Sequence, residues 1–271
     1  MIEEIEDFAD PRLAPYRALK DAPLVRSGRF VAEGELVVRT LIERQPDHVE
    51  SVLFTAPRAT RRSELLEKIP ESVPVWAVTP EIAQRVAGFP VHRGFLAIGR
   101  ERDRSEEAAH ATGPIVVLEQ LSNHDNVGGI FRAAAAFGAG AVWLDERTAD
   151  PLYRKALRVS MGSVLRVPYR RARFETLAAS LVDRRFSIVA LTPRPGARPL
   201  GELTREVEPK TTAFLVGAEG HGLTETALHA ATAWARIPIE REVDSLNAAT
   251  ALAIALYALR DRELVSMTRI P

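Results

Sequence analysis

The arginine at position 132 is the side chain whose placement most strongly suggests chemistry. It lies six residues after Asn126, near the beginning of a helix that the apolar pattern predicts over 127–137. The helix macrodipole disfavours a cation near a helix N-terminus, and an anionic partner would remove that conflict. Arg132 is therefore predicted to meet a phosphate. A purely structural interpretation would make Asn126 an N-cap and would explain Gly128 by close helix packing.

A glycine-rich loop at 217–223 is the second stretch that could contact a ligand. Gly217, Gly220 and Gly222 can adopt positive φ angles and can let the backbone approach a bound molecule closely. Their G-x-x-G-x-G spacing differs from the dinucleotide fingerprint, and no Lys-Ser or Lys-Thr pair follows them as in a P-loop. The loop indicates either a ligand contact of another kind or an ordinary strand-to-helix turn.

The third stretch contains Ser245, Leu246 and Asn247 and directly precedes a helix predicted over 248–259. Ser and Asn at such positions are usually N-caps, which is a sufficient explanation for Ser245 taken alone. It does not explain why an apolar run, an acidic loop and this tripeptide follow a glycine loop that contains Glu219. We interpret the ensemble as part of a binding site.

Each of these polar stretches follows a short apolar run that is predicted to be a strand. From residue 114 onward such strands alternate with helical patterns, and they are predicted at 115–118, 141–144, 164–167, 187–191, 213–216 and 235–239. The alternation predicts a mostly parallel sheet with helices on both faces. In open α/β sheets, ligands bind in the crevice beyond the carboxyl ends of the strands.

Residues 1–105 are predicted to be a separate, small α/β domain, because strands and helical patterns also alternate there. The charged and then Ala-rich segment that follows contains no apolar run, and we assign residues 106–113 to a linker. The second domain is predicted to comprise residues 114–271.

The composition is that of an ordinary globular protein. Of 271 residues, 46% are hydrophobic and 27% are charged, and the formal net charge is zero. The absence of cysteine excludes disulfides, thiolate metal sites and cysteine nucleophiles. No apolar run approaches the roughly 18 residues of a membrane span, and the acidic segment 1–7 does not resemble a signal peptide. We expect a cytoplasmic protein without membrane contact.

The three polar stretches resemble the motifs of the SpoU/TrmH branch of the SPOUT RNA methyltransferases. Residues 126–132 are similar to the first motif, 217–223 to the second and 237–247 to the third. The typical first motif has a proline shortly before the asparagine, which this chain lacks. The resemblance implies a trefoil-knotted, parallel-sheet α/β domain, preceded by a small α/β substrate-binding domain. It also implies a homodimer that transfers a methyl group from S-adenosyl-L-methionine to a ribose 2′-hydroxyl of RNA.

The resemblance also implies roles for individual residues. Arg132 would either lose a proton with the help of a phosphate or stabilise the forming alkoxide, and we favour the electrostatic role. Ser245 remains either a cap or a ribose contact. The implied catalytic residues are Asn126, Arg132, Glu219, Ser245 and Asn247. The implied cofactor-binding residues are Leu191, Thr192, Gly217, Glu219, Gly220, Gly222, Ile237, Ile239 and Leu246. No metal is implied.

A basic stretch bears on the substrate. Between residues 151 and 174 there are seven basic side chains and no acidic one, which indicates either a solvated helix face or a phosphate-contacting surface. The candidate RNA-binding residues are Arg29, Arg93, Arg154, Arg158 and Arg166. We expect ribosomal RNA rather than transfer RNA, because in this family a separate N-terminal domain of this type usually accompanies larger substrates.

Other classes of protein remain open. A transfer RNA 2′-O-methyltransferase would share every motif. A non-catalytic RNA-binding protein could retain the fold, although Asn126, Arg132, Glu219 and Asn247 are all present. A nucleotide- or NAD-dependent enzyme is disfavoured by the absence of the fingerprint spacing.

Overall fold

The computed structural model describes residues 2–17, 19–55, 64–88, 91, 94–240 and 242–268, with side chains described as far as residue 261. The strands are β1 (Ile2–Glu4), β2 (Arg29–Glu33), β3 (Val49–Thr55), β4 (Val75–Val78), β5 (Phe95–Arg100), β6 (Ile115–Leu118), β7 (Ala141–Leu144), β8 (Tyr169–Arg171), β9 (Ser187–Leu191), β10 (Arg198–Pro199), β11 (Thr212–Val216) and β12 (Ala233–Arg236). The described α-helices are α1 (Asp21–Arg26), α2 (Glu35–Arg44), α3 (Glu64–Glu67), α4 (Pro80–Ala87), α5 (Ser105–Ala109), α6 (His124–Phe137), α7 (Arg154–Val159), α8 (Phe174–Asp183), α9 (Leu200–Leu203), α10 (Glu225–Ala230) and α11 (Ala248–Thr268).

The chain divides into two compact units. The first unit comprises Met1–Arg102 and Pro151–Arg166, and the second comprises Asp103–Asp150 and Val167–Pro271. The first break lies close to the predicted linker at 106–113. The structure differs from the prediction at Pro151–Arg166, which the sequence analysis placed in the second domain. The functions predicted for the two domains stay predictions.

The first unit contains a mixed sheet of order β1-β4-β3-β5-β2. Strands β1, β3 and β4 are parallel, whereas β5 runs antiparallel to β3 and β2. Helix α7 packs against β2, and the Arg154 guanidinium donates from Nε to Oδ1 of Asp21 over 3.1 Å. The Gln45 amide donates to the carbonyl oxygen of Leu165 over 3.1 Å. These long-range contacts attach the 151–166 segment to this unit.

The second unit contains a seven-stranded sheet of order β10-β12-β9-β11-β6-β7-β8. Every pairing in it is parallel, as the alternating pattern predicted. Ile115, Val117 and Trp143 pack with Leu177 of α8 in the core of one face. The alternate residues of β6 are also fully buried, as expected when both faces of a parallel sheet are covered. The α/β prediction is confirmed, and this strand order is consistent with the knot implied by the resemblance.

One predicted strand is wrong. The apolar run at 164–167 contributes to a 3₁₀ turn at Ser163–Leu165, and the strand next to β7 is Tyr169–Arg171. Val164 and Leu165 are buried, and burial alone produces the same apolar pattern as a short strand. Within the described part of the chain, none of the helices combines the length and the apolar character that crossing a membrane would need.

Candidate active site

A cleft of about 520 Å³ lies at the carboxyl ends of β9, β11 and β12. Its walls are formed by residues 192–193, by the loop at 217–222, by Ile237, Ile239, Ser245 and Leu246, and by the first turn of α11. All nine residues predicted to contact a cofactor line this cleft, namely Leu191, Thr192, Gly217, Glu219, Gly220, Gly222, Ile237, Ile239 and Leu246. Ser245 and Asn247 line it as well. Contact of these residues with a cofactor stays a prediction.

The glycine loop folds back on itself at the floor of this cleft. The backbone N–H of Gly222 donates to the carbonyl oxygen of Ala218 over 3.1 Å. A Cβ atom at Gly217 would lie 2.5 Å from both the carbonyl carbon of Gly222 and the nitrogen of Leu223. Gly220 and Gly222 have φ angles of +92° and +70°. The close backbone approach therefore requires glycine at 217, and the left-handed conformations favour it at the other two positions.

Glu119 anchors the end of the glycine loop and was assigned no role from the sequence. It directly follows β6, is only 3% exposed, and accepts a 3.0 Å hydrogen bond from the backbone nitrogen of Thr224. The Thr224 hydroxyl donates to the same carboxylate. That hydroxyl also accepts from the backbone nitrogen of Ala227, which caps α10. Its position directly after a strand predicted to be buried could have identified Glu119 from the sequence, because buried acids need partners.

Three of the predicted catalytic residues form one hydrogen-bonded cluster beside the cleft. The Asn247 amide donates from Nδ2 to Oδ1 of Asn126 over 2.7 Å and to Oε1 of Glu219 over 3.2 Å. Asn126 is 3% exposed, and its Nδ2 has no hydrogen-bond partner among the described residues. A buried amide donor without a partner is costly. The cluster therefore offers a donor to a bound molecule.

The sequence analysis considered Asn126 and Ser245 as possible N-caps, but other residues cap these two helices. Asn123 caps α6, because its side chain accepts from the backbone nitrogen of Asp125 over 2.9 Å. Asn247 caps α11 by accepting from the backbone nitrogens of Ala249 and Thr250 over 3.0 and 3.2 Å. Asn126 lies inside α6 with its side chain available for the cluster. Ser245 lies before the cap, exposed at the cleft.

Arg132 lies on the exposed surface of α6, and its guanidinium makes no hydrogen bond or ion pair with the described residues. The helix begins at His124, three residues earlier than predicted. Arg132 is thus about two turns from the helix N-terminus, where the macrodipole has little effect. The prediction that Arg132 lies near the N-terminus of its helix, where the macrodipole disfavours a cation, is therefore wrong. The remaining argument for an anionic partner is that the Arg132 guanidinium is exposed on the helix that also carries Asn126, and that it pairs with no carboxylate of the described residues.

Most of the predicted RNA-binding arginines pair with carboxylates in the first unit. Arg29 lies 2.9 Å from Glu50, and Arg154 lies 3.1 Å from Asp21. Arg158 lies 3.4 Å from Glu33. Arg166 is exposed, and Arg93 lies outside the described residues. The role of all five in binding RNA stays a prediction.

A parallel α/β sheet with a ligand-sized cleft at its strand carboxyl ends, bordered by a buried amide and a carboxylate, defines the class of ligand-binding α/β proteins. Comparison with known proteins specifies the family. The sequence profile of the SpoU rRNA Methylase family matches residues 113–257. The chain belongs to the SpoU rRNA methylase family.

Individual relatives match over nearly the whole chain. An uncharacterized tRNA/rRNA methyltransferase of Mycobacterium bovis is 38% identical over 265 residues, which cover 94% of this chain and 91% of the relative. The 23S rRNA (guanosine-2'-O-)-methyltransferase of Xylella fastidiosa is 28% identical, with 83% of this chain and 93% of the relative covered. The crystal structure of an AdoMet-bound rRNA methyltransferase from Sinorhizobium meliloti has a TM-score of 0.78 at 25% identity, and covers 96% of this chain and 98% of its own.

Proposed function

We propose that the protein transfers a methyl group from S-adenosyl-L-methionine to a ribose 2′-hydroxyl of RNA, and that the RNA is ribosomal. The observation that carries this proposal is the joining of the nine predicted cofactor residues around one cleft, next to the Asn126–Asn247–Glu219 cluster. The names of relatives support the cofactor, the substrate and the position of methylation.

The cleft fits this cofactor in size and in chemistry. Its volume of about 520 Å³ is in the range of roughly 300–1,000 Å³ that holds small molecules. Leu191, Leu223, Ile237 and Leu246 supply apolar walls for a purine ring. The backbone groups of the glycine loop are free of side chains and can donate and accept hydrogen bonds at the polar end.

The chain's own residues would orient the reacting hydroxyl. When bound, S-adenosyl-L-methionine supplies the methyl group on a positively charged sulfonium. The free Nδ2 of Asn126 would donate a hydrogen bond to the substrate, while Asn247 holds the Asn126 amide in place. Positioning of this kind can supply a large part of the rate, because it removes the entropic cost of bringing two reactants together.

Arg132 would stabilise the negative charge that develops on the ribose oxygen. A guanidinium stays charged in proteins and is therefore a poor proton acceptor, whereas it stabilises an oxyanion well. Asn126 and Arg132 are about one and two-thirds helical turns apart, so they point to different sides of α6. For both to act on one ribose, Arg132 would come from a second copy of the chain. Arg132 shares its exposed side with Ala135 and Ala136, which are three and four residues further on.

We infer a homodimer that covers this side of α6. The neighbouring helix α11 contacts α6 and exposes Ile254 and Tyr257 at 37% and 56%. Together with Ala135 and Ala136 they form an apolar surface, which we call the α6/α11 face. A second copy of the chain placed on this face would bring Arg132 to the interface. The cytoplasmic location stays a prediction.

The test is transfer of labelled methyl from S-adenosyl-L-methionine to unmodified ribosomal RNA, with transfer RNA as a parallel substrate. We expect label in alkali-resistant 2′-O-methylated dinucleotides of ribosomal RNA, and its loss in Arg132→Ala. The matched control is Arg205→Ala, since Arg205 is also exposed in the second unit. Label in transfer RNA alone would show that the substrate is transfer RNA and not ribosomal RNA. Absence of both label and cofactor-induced thermal stabilisation would overturn the proposal.

A further inference from the structure

Two arginines share one tryptophan ring at the β8 edge of the seven-stranded sheet. The guanidinium carbon of Arg170 lies 4.8 Å from the centroid of Trp143, and that of Arg184 lies 5.8 Å from the same ring. Arg184 also lies 4.7 Å from the Phe186 ring. All four residues belong to the second unit. We call this group the Trp143 cluster.

The two cations in the Trp143 cluster have different surroundings. Arg184 donates to the carbonyl oxygens of Ala109 and Ala111 over 2.7 and 2.6 Å, so its terminal nitrogens are used within the fold. Arg170 makes no hydrogen bond or ion pair with any described residue. A guanidinium that stacks on an aromatic face leaves its N–H edge available for a bidentate contact.

The local charge is unbalanced. Burial first, and then the positive charge of Arg170, lower the pKa of the Arg184 guanidinium. No ion pair to either arginine occurs among the described residues. Two half-buried like charges repel each other, and the arrangement costs stability unless an anion neutralises it. The next residue, Arg171, points to the other side of β8 and is satisfied within the fold, because its guanidinium donates to the carbonyl oxygens of Asp145 and Thr148 over 2.8 and 2.6 Å.

We propose that Arg170, supported by Arg184 on the Trp143 ring, binds a backbone phosphate of the RNA substrate. The inference rests on the proposed function, because it assumes that RNA is the partner. It adds a contact in the methyltransferase unit itself, at a distance along the sheet from the cofactor cleft. The occupant is a phosphate because a planar guanidinium donates two parallel hydrogen bonds to two of its oxygens.

The experiment measures equilibrium binding of an unmodified ribosomal RNA transcript, without cofactor, over a series of salt concentrations. The logarithm of affinity falls linearly with the logarithm of salt concentration, with a slope of about 0.7–0.9 for each phosphate neutralised. Arg170→Gln should bind more weakly and reduce this slope by about that amount. Arg170→Lys should retain the slope, because it retains the charge, but should bind less tightly than the wild type.

Arg205→Gln is the matched control, because it removes the same charge from an exposed side chain near β10, at the opposite edge of the sheet. Its slope should equal that of the wild type. The melting temperature of Arg170→Gln without RNA should not fall, since the lost ring contact is offset by relief of the repulsion on Arg184. A lower melting temperature with an unchanged slope would show that Arg170 only covers Trp143, and would overturn the inference.

Inorganic phosphate provides the remaining arm. If it stabilises the wild type but not Arg170→Gln while the RNA slope is the same in both, the site takes free phosphate and the inference is wrong.

Failure of the inference can be separated from failure of the proposed function. Methyl transfer to RNA by the wild type with no slope change in Arg170→Gln overturns only the inference. No RNA binding by the wild type overturns both.

Discussion

Nδ2 of Asn247 donates a 2.7 Å hydrogen bond to Oδ1 of Asn126. This contact joins the beginning of α11 to the first turn of α6. The two asparagines are 121 positions apart in the chain. The same Asn247 side chain uses its oxygen to cap α11. One residue therefore carries a structural function on its oxygen and a site function on its nitrogen, and the two can be separated by mutation.

Asn247→Ser should separate them. Serine is as good an N-cap as asparagine but is too short to hold Asn126 and Glu219. We therefore expect loss of methyl transfer, with the loss of stability limited to the unpaired Oδ1 of Asn126. Asn247→Ala should lose the cap as well, at a cost of about 0.5–2 kcal/mol in the free energy of unfolding. Urea denaturation and single-turnover methyl transfer measure the two effects. Equal destabilisation by both substitutions would contradict the assignment of the cap.

Glu119 should control cofactor binding through the glycine loop. Glu119→Ala leaves the half-buried backbone nitrogen of Thr224 without its partner, at a cost of about 0.5–1.5 kcal/mol, and releases the end of the loop. We expect a higher KM for S-adenosyl-L-methionine with a smaller change in kcat. Glu119→Gln should restore much of the affinity, because its amide can still accept from the nitrogen and pair with the Thr224 hydroxyl. A kcat loss at unchanged KM would rule out this positioning role.

The sequence was sufficient for the parts of the site whose signal is local. The glycines at 217, 220 and 222 follow a strand directly, and their spacing reflects a backbone constraint that the structure shows at Gly217. The packing of residues 151–166 with the first unit could not be predicted from the sequence, because it depends on long-range contacts. One of them joins Gln45 to Leu165, 120 residues apart. The caps at Asn123 and Asn247 were ambiguous because neighbouring polar residues can fill the same position.

Gly217→Ala should abolish cofactor binding for a steric reason. The added Cβ would lie 2.5 Å from backbone atoms of Gly222 and Leu223, so the loop must open to accept it. Gly201→Ala is the matched control, because a Cβ there meets nothing within 4 Å and Gly201 lies in α9, where the change should be neutral or stabilise by up to about 1 kcal/mol. Thermal shifts with S-adenosyl-L-methionine measure this. A normal shift in Gly217→Ala would exclude the loop from the binding site.

A charge on the α6/α11 face should separate the proposed dimer. Ile254→Glu places a carboxylate where a second copy would bury an apolar side chain, and burying an unpaired charge is costly. We expect a monomer by light scattering, with loss of methyl transfer because Arg132 adjoins this face, but with S-adenosyl-L-methionine still raising the melting temperature. Val182→Glu is the control, because Val182 is 62% exposed on α8, away from this face. An Ile254→Glu protein that stays dimeric, or a wild type that is monomeric at assay concentration, would show that this face does not hold a second copy.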